Sequence, residues 1–202
     1  MRILVCLMLA CTAFTGCIQP GMTAEEEVPG RSFVAPLLGA DGTSHHDLNL
    51  SDNLTQGPVL LFFMSESCTG CHAWTEVLAT AHPMWMTLDP PLQIIGVHRY
   101  GSFESPEMLH ERYGNMSSST FAPWPILLPE PTTTVFDPST GATRAASFFE
   151  AFDTPVTPSF ILLDQEGRDV WTGREYQPGT GSLDPIGAAW ASVVGDSEGG
   201  MA

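Results

Sequence analysis

The segment Val59–Met64 (VLLFFM) is a continuous apolar run, and four residues after it ends the chain reads Cys68-Thr69-Gly70-Cys71. An apolar run with no polar alternation is the pattern of a strand buried on both faces. From Cys68 to about His82 the period changes, and Trp74, Val77, Leu78 and Ala81 fall on one face of a helix. Gln93–Val97 is a second buried strand. This order predicts a β-α-β unit with parallel strands. It leaves the cysteine pair where the first strand hands over to the helix, so one short stretch constrains both fold and chemistry.

The rest of the chain extends this pattern. Pro106–Tyr113 reads as a short helix and Pro125–Leu128 as a short strand. After the turn-like Asp137-Pro138-Ser139-Thr140-Gly141, the residues Ala145, Phe148, Phe149 and Phe152 have helical spacing. Phe160–Asp164 and Asp169–Thr172 flank Gln165-Glu166-Gly167, a hairpin signal. A last helix is expected from near Ser182, with Leu183, Ile186, Trp190 and Val193 on its buried face. Strands alternating with helices place the chain in the α/β class with a mixed sheet, and 202 residues suit one domain plus an appendage. That domain is expected over residues 31–195, with an irregular insertion around 101–142. A polar, glycine-rich tail follows at 196–202.

The first residues read as a targeting segment. Met1-Arg2 is followed by the mostly apolar Ile3–Phe14, the length of a signal-peptide core and well short of the roughly 20 residues that span a bilayer. Phe14-Thr15-Gly16-Cys17 resembles a lipobox, with Phe14 where leucine is usual, and makes Cys17 the expected lipid attachment point. An ordinary secretory signal with an incidental Cys17 is the alternative. Residues 1–16 are thus read as a signal peptide and 17–30 as a lipid-anchored disordered tether. The expected location is the extracytoplasmic face of the cell membrane. Cys6 and Cys11 would leave with the signal, so Cys68 and Cys71 remain as one pair.

Charge excludes one class of partner. The chain carries 23 acidic residues against seven basic ones, all arginine, for a formal charge of −16. Nucleic acid needs a basic surface, which this composition does not supply.

Two residues between cysteines let both sulfurs meet across a first helical turn. The first thiol then faces the unpaired N–H groups and positive dipole end of the helix, which favour a thiolate. Cys68 is therefore the expected nucleophile and Cys71 the resolving thiol, working through a mixed disulfide. A purely structural disulfide would close almost no loop and stabilise little. With His72 the segment also spells C-x-x-C-H, the haem c attachment pattern, for which Met84, Met86, Met108 or Met116 could be the other axial ligand. The buried strand before Cys68 is not a requirement of that motif. His72 is otherwise a polar residue of the first helical turn and a candidate for tuning the thiolate. Glu66 is the nearest carboxylate, readable as a proton relay or as a loop charge. No zinc site is expected, and His45-His46 read as solvated turn residues.

Taken together, these residues resemble the thioredoxin fold, a three-layer sandwich around a mixed β-sheet. Within it they are similar to the TlpA/ResA-like membrane-anchored thiol–disulfide oxidoreductases (redoxins). The likeness runs from about residue 33 to 194. It is carried by Ala35–Gly42, by Leu48-Asn49-Leu50-Ser51-Asp52, by Gly57-Pro58 leading into the strand, and most of all by the pairing of C-x-x-C with Val156-Thr157-Pro158-Ser159-Phe160-Ile161-Leu162-Leu163-Asp164. The resemblance implies a cis Pro158 facing the cysteines, with Thr157 offering backbone groups to an extended substrate. The chain departs from the family in having Ser67 where tryptophan usually precedes the first cysteine, and from thioredoxins in having Phe62 where they bury an acid.

The implied activity is disulfide exchange with proteins outside the cytoplasm, with no cofactor beyond the Cys68–Cys71 disulfide. The implied partners are protein thiols, a membrane electron donor and, through Cys17, the bilayer. A non-catalytic binding or chaperone lipoprotein of the same fold is the other reading. A peroxiredoxin-like peroxidase is also weighed, since Ser65 fits its hydroxyl position while Leu61 stands at its proline position.

Overall fold

A computed structural model describes residues 29–198 apart from 101 and 146. The expected signal peptide, Cys17, most of the tether and residues 199–202 lie outside the described residues. The elements, in order, begin with β1 (Ser32–Leu38), β2 (Ser44–Asn49), α1 (Leu50–Leu54), β3 (Val59–Met64), α2 (Thr69–Trp85) and β4 (Gln93–His98). They continue with α3 (Pro106–Leu109), a π-helical turn (His110–Gly114), β5 (Ile126–Leu127), β6 (Val135–Phe136) and β7 (Thr143–Ala145). The chain ends in α4 (Phe148–Phe152), β8 (Ser159–Leu163), β9 (Asp169–Gly173) and α5 (Asp184–Glu198).

β3 organises the molecule. All six of its residues are buried, and because side chains alternate across a strand, it feeds two cores at once. Leu60, Phe62 and Met64 join Trp74, Leu78 and Ile186 under α2 and α5. Leu61 and Phe63 join Leu50, Leu54, Phe148 and Phe152 under α1 and α4. The result is three layers, helix–sheet–helix. In the sheet, the order is β7-β6-β1-β5-β4-β3-β8-β9, with β2 paired to β1. β3 runs parallel to β4 and antiparallel to β8, so the sheet is mixed, as the sequence pattern implies.

The structure differs from the sequence reading in several places. Ala145 is not helical: it pairs with Val135 in the β6–β7 hairpin. The turn between these strands is closed by Asp137, whose carboxylate accepts the N–H groups of Ser139 and Thr140. Only Phe148 onward forms α4, where Phe148 and Phe152 are buried. His45 and His46 lie on β2 rather than in a turn, because the reversal comes earlier, at Gly39–Thr43, with Gly42 at φ 78°. Helix α2 continues past Pro83 to Trp85. A proline there removes one hydrogen bond of the last turn, and the buried Trp85 packs the helix end into the core.

Candidate active site

Cys68 is the N-cap of α2, a helix with no acidic residue in its first turn. Its Sγ accepts the Cys71 N–H at 3.1 Å, so the sulfur occupies the place where a capping oxygen normally satisfies an orphan donor. Cys68 and Cys71 are joined as a disulfide with Cα atoms 5.2 Å apart. Cys68 retains 9% of its surface and Cys71 none. Of the two cysteines, Cys68 is the one that keeps surface open to solvent.

The loop between β3 and α2 is held from several directions. The buried Ser65 carbonyl accepts the Tyr113 hydroxyl at 2.8 Å. Burial raises the Tyr113 pKa above its usual value, keeping that hydroxyl a neutral donor. Ser65 Oγ lies 3.4 Å from Thr157 Oγ1. The Glu66 carboxylate faces Arg112, at 3.1 Å from Nη2, and the Glu66 carbonyl accepts from His72 Nε2 at 2.6 Å.

A further hold comes from Glu104. Its Oε2 accepts the Glu66 N–H at 2.7 Å, and its Oε1 accepts the Ser67 N–H at 3.0 Å and the Ser67 hydroxyl at 2.7 Å. Behind it, His98 Nε2 is 3.0 Å from Oε2. Burial alone would raise the Glu104 carboxyl, but the hydrogen bonds from Ser67, the Glu66 amide and His98 outweigh it and hold the group below the usual carboxylate range. Burial pushes His98 down by more than Glu104 lifts it. At neutral pH the carboxylate can only accept, so a neutral His98 donates through Nε2.

The Thr157–Pro158 peptide bond is cis, and the residue after it, Ser159, pairs with Phe63 on β3. This register sets Thr157-Pro158 beside the start of the cysteine loop. The expected docking residues Thr157 and Pro158 thus lie against Ser65, on the loop that leads into Cys68. Glu66 and His72 are close by, but the carboxylate of one is turned to Arg112 and the ring of the other to the Glu66 carbonyl. His72 Nε2 is therefore engaged within the protein, which leaves the haem pattern without a free ligand on that nitrogen. Among the described residues, no group of three or more His, Cys, Asp or Glu side chains could hold a metal ion.

Sequence reasoning missed Glu104, His98 and Tyr113. The signal available was positional: His98 ends a buried parallel strand, and functional groups gather at the carboxyl ends of such strands.

No protein-family model and no curated protein matches the chain. Solved structures do. The thioredoxin domain of a thiol-disulfide oxidoreductase from Bacteroides vulgatus is 16% identical, with a TM-score of 0.53 over 79% of this chain and 93% of that one. A putative thiol:disulfide interchange protein DsbE from Chlorobium tepidum is 16% identical, with a TM-score of 0.52 over 80% and 96%. A hypothetical protein from Sinorhizobium meliloti is 22% identical, with a TM-score of 0.58 over 83% and 84%. Sharing so few residues with these proteins yet following their path over about four-fifths of its length, the chain has the thioredoxin fold.

Proposed function

We propose that the chain is an exported, membrane-anchored thiol–disulfide oxidoreductase that exchanges disulfides with extracytoplasmic proteins. The observation that carries this reading is Cys68 at the N-cap of the 17-residue α2, its sulfur accepting a backbone N–H. Such a position favours the thiolate over the thiol. The chain has no lysine, so the helix end supplies what an ammonium would supply elsewhere. The structural likeness to a thiol-disulfide oxidoreductase and to a putative thiol:disulfide interchange protein supports the same reading.

In the reducing direction the Cys68 thiolate attacks one sulfur of a client disulfide. A Cys68–client bond forms, the client S–S bond breaks, and the first client sulfur leaves as a thiolate that takes up a proton. Cys71, deprotonated, then attacks the Cys68 sulfur. The Cys68–Cys71 bond forms, the second client sulfur leaves, and two electrons have passed to the client. A dithiol donor at the membrane restores the reduced pair, and the reverse sequence oxidises a client. Thr157-Pro158 is assigned to dock the extended client, since the backbone before a proline is open to pairing. Glu66 and His72 are assigned to tuning the loop around Cys68, and Cys17 to the lipid anchor.

The test is trapping. Cys71→Ser accumulates mixed disulfides with clients, and Cys68→Ser loses exchange. Wild-type exchange in Cys68→Ser overturns the assignment. So does a pair whose potential lies below about −300 mV, the range of inert structural disulfides.

A further inference from the structure

Gly70 lies between the two cysteines, and the chain folds back onto it. A Cβ at this position would collide with the Tyr176 carbonyl and would meet the Tyr176 ring at 3.0 Å (Cδ2) and 3.1 Å (Cε2). The ring is therefore laid against the first turn of α2, yet Tyr176 as a whole keeps 56% of its surface exposed. Its segment is pinned at two points. The buried Trp74 donates its indole N–H to the Glu175 carbonyl at 2.7 Å. Arg174 Nη2 donates to the Asp153 carbonyl at 2.7 Å and lies 3.6 Å from the Asp153 carboxylate. Because Gly173 pairs with Phe160, the chain leaving β9 passes the Thr157-Pro158 segment on its way to Gly70. On the other flank Val156 is exposed.

We infer that Tyr176 is a specificity-determining residue: its exposed ring receives a basic side chain adjacent to the client cysteine. This rests on the oxidoreductase reading given above. The charges around the ring fix the sign of the partner. The two arginines at this site already face carboxylates, Arg112 with Glu66 and Arg174 with Asp153. Glu175, directly before Tyr176, adds an exposed carboxylate, and the whole chain carries a formal charge of −16. An aromatic face beside a carboxylate attracts an arginine or lysine and offers nothing to an acidic residue. An extended client lying along Thr157 brings the residue next to its cysteine over this ring.

The experiment uses the reduced chain and two disulfide-bonded peptides, identical except for arginine or glutamine next to one cysteine. The second-order rate constant for reduction is measured for each. The ratio of the two constants within each variant is the readout, so a variant of altered overall activity still reports. The arginine peptide is reduced about two- to five-fold faster by the wild type. Tyr176→Phe keeps this ratio and Tyr176→Ala brings it to near one. An unchanged ratio in Tyr176→Ala, a ratio near one in the wild type, or loss of the preference in Tyr176→Phe overturns the inference and leaves the oxidoreductase reading intact. Failure of the wild type to exchange disulfides with either peptide, in the reducing or the oxidising direction, overturns the oxidoreductase reading, and this inference with it.

Discussion

His98 donates its Nε2 proton to the Glu104 carboxylate across 3.0 Å, and both side chains are almost fully buried. This pair sits directly behind the two peptide groups that lead into Cys68. Glu104→Ala strips the acceptor from the Glu66 amide, the Ser67 amide and His98 together. The expected loss is about 3 kcal/mol of stability, since buried donors left unpaired are costly. Glu104→Gln keeps an oxygen for one amide and costs about half as much. It also removes a negative charge close to Cys68, so the Cys68 thiolate becomes easier to form. Absorbance of the thiolate near 240 nm in the reduced chain follows that shift. A Cys68 titration identical to wild type in Glu104→Gln would show that the carboxylate acts on the loop only through its hydrogen bonds.

The same pair makes stability depend on pH in a stated direction. His98 titrates below 6.5 in the folded chain and near 6.5 when unfolded. Below about pH 6.5 the unfolded state therefore binds more protons, and stability falls as the pH drops. Glu104 is held below 4.5, so its contribution is full above that value and is lost as the pH falls through its lowered folded pKa. Urea midpoints measured at pH 7 and pH 5.5 should decrease on acidification. The decrease should be smaller in His98→Gln, and an equal decrease in that variant refutes the linkage to His98.

Gly70→Ala should destabilise the protein, the reverse of what the same change does in most helices. Alanine in a helix is ordinarily favoured over glycine by about 1 kcal/mol. Here the added methyl meets a backbone carbonyl, that of Tyr176, which cannot swing aside as a side chain would. Overpacking of this kind costs about 1–3 kcal/mol. A higher denaturation midpoint in Gly70→Ala would mean that the Arg174–Tyr176 segment yields easily.

Phe148 anchors the second core. It is fully buried, with its ring centroid 4.6 Å from Phe33 and 4.9 Å from Phe152. Phe148→Ala should cost about 3–5 kcal/mol and Phe148→Leu less than half of that, as read from urea unfolding. α4 is only five residues long, and Phe148 and Phe152 are its buried side chains. The Ala variant should therefore lose protection from proteolysis first around residues 143–153.

The parts of the fold legible in the sequence are those whose burial is complete or strictly periodic. Val59–Met64 and Gln93–Val97 read as strands because both faces are covered, and Trp74, Leu78 and Ala81 mark α2 because one face is. Ala145 departs from the helical spacing because a three-residue strand is too short to establish a period, and the phenylalanines after it supply a stronger one. In the site, Cys68 and Cys71 are legible because their chemistry depends on local spacing. Glu104 is not, because its partners lie on a distant loop and meet it only after β3 and β4 pair. Glu66 is near Cys68 in sequence, yet its carboxylate turns to Arg112 while its amide serves the buried acid.

The two flanks of the cysteine pair belong to one hairpin: Val156–Pro158 enters β8, and Arg174–Tyr176 leaves β9. The reactive sulfurs belong to another unit, the β3–α2 junction. On the function proposed above, reaction and recognition are carried by separate pieces of chain that meet at a single seam. On that reading, exchanging residues 153–158 and 174–177 should redirect the protein toward a different set of clients while the chemistry at Cys68 stays as it is.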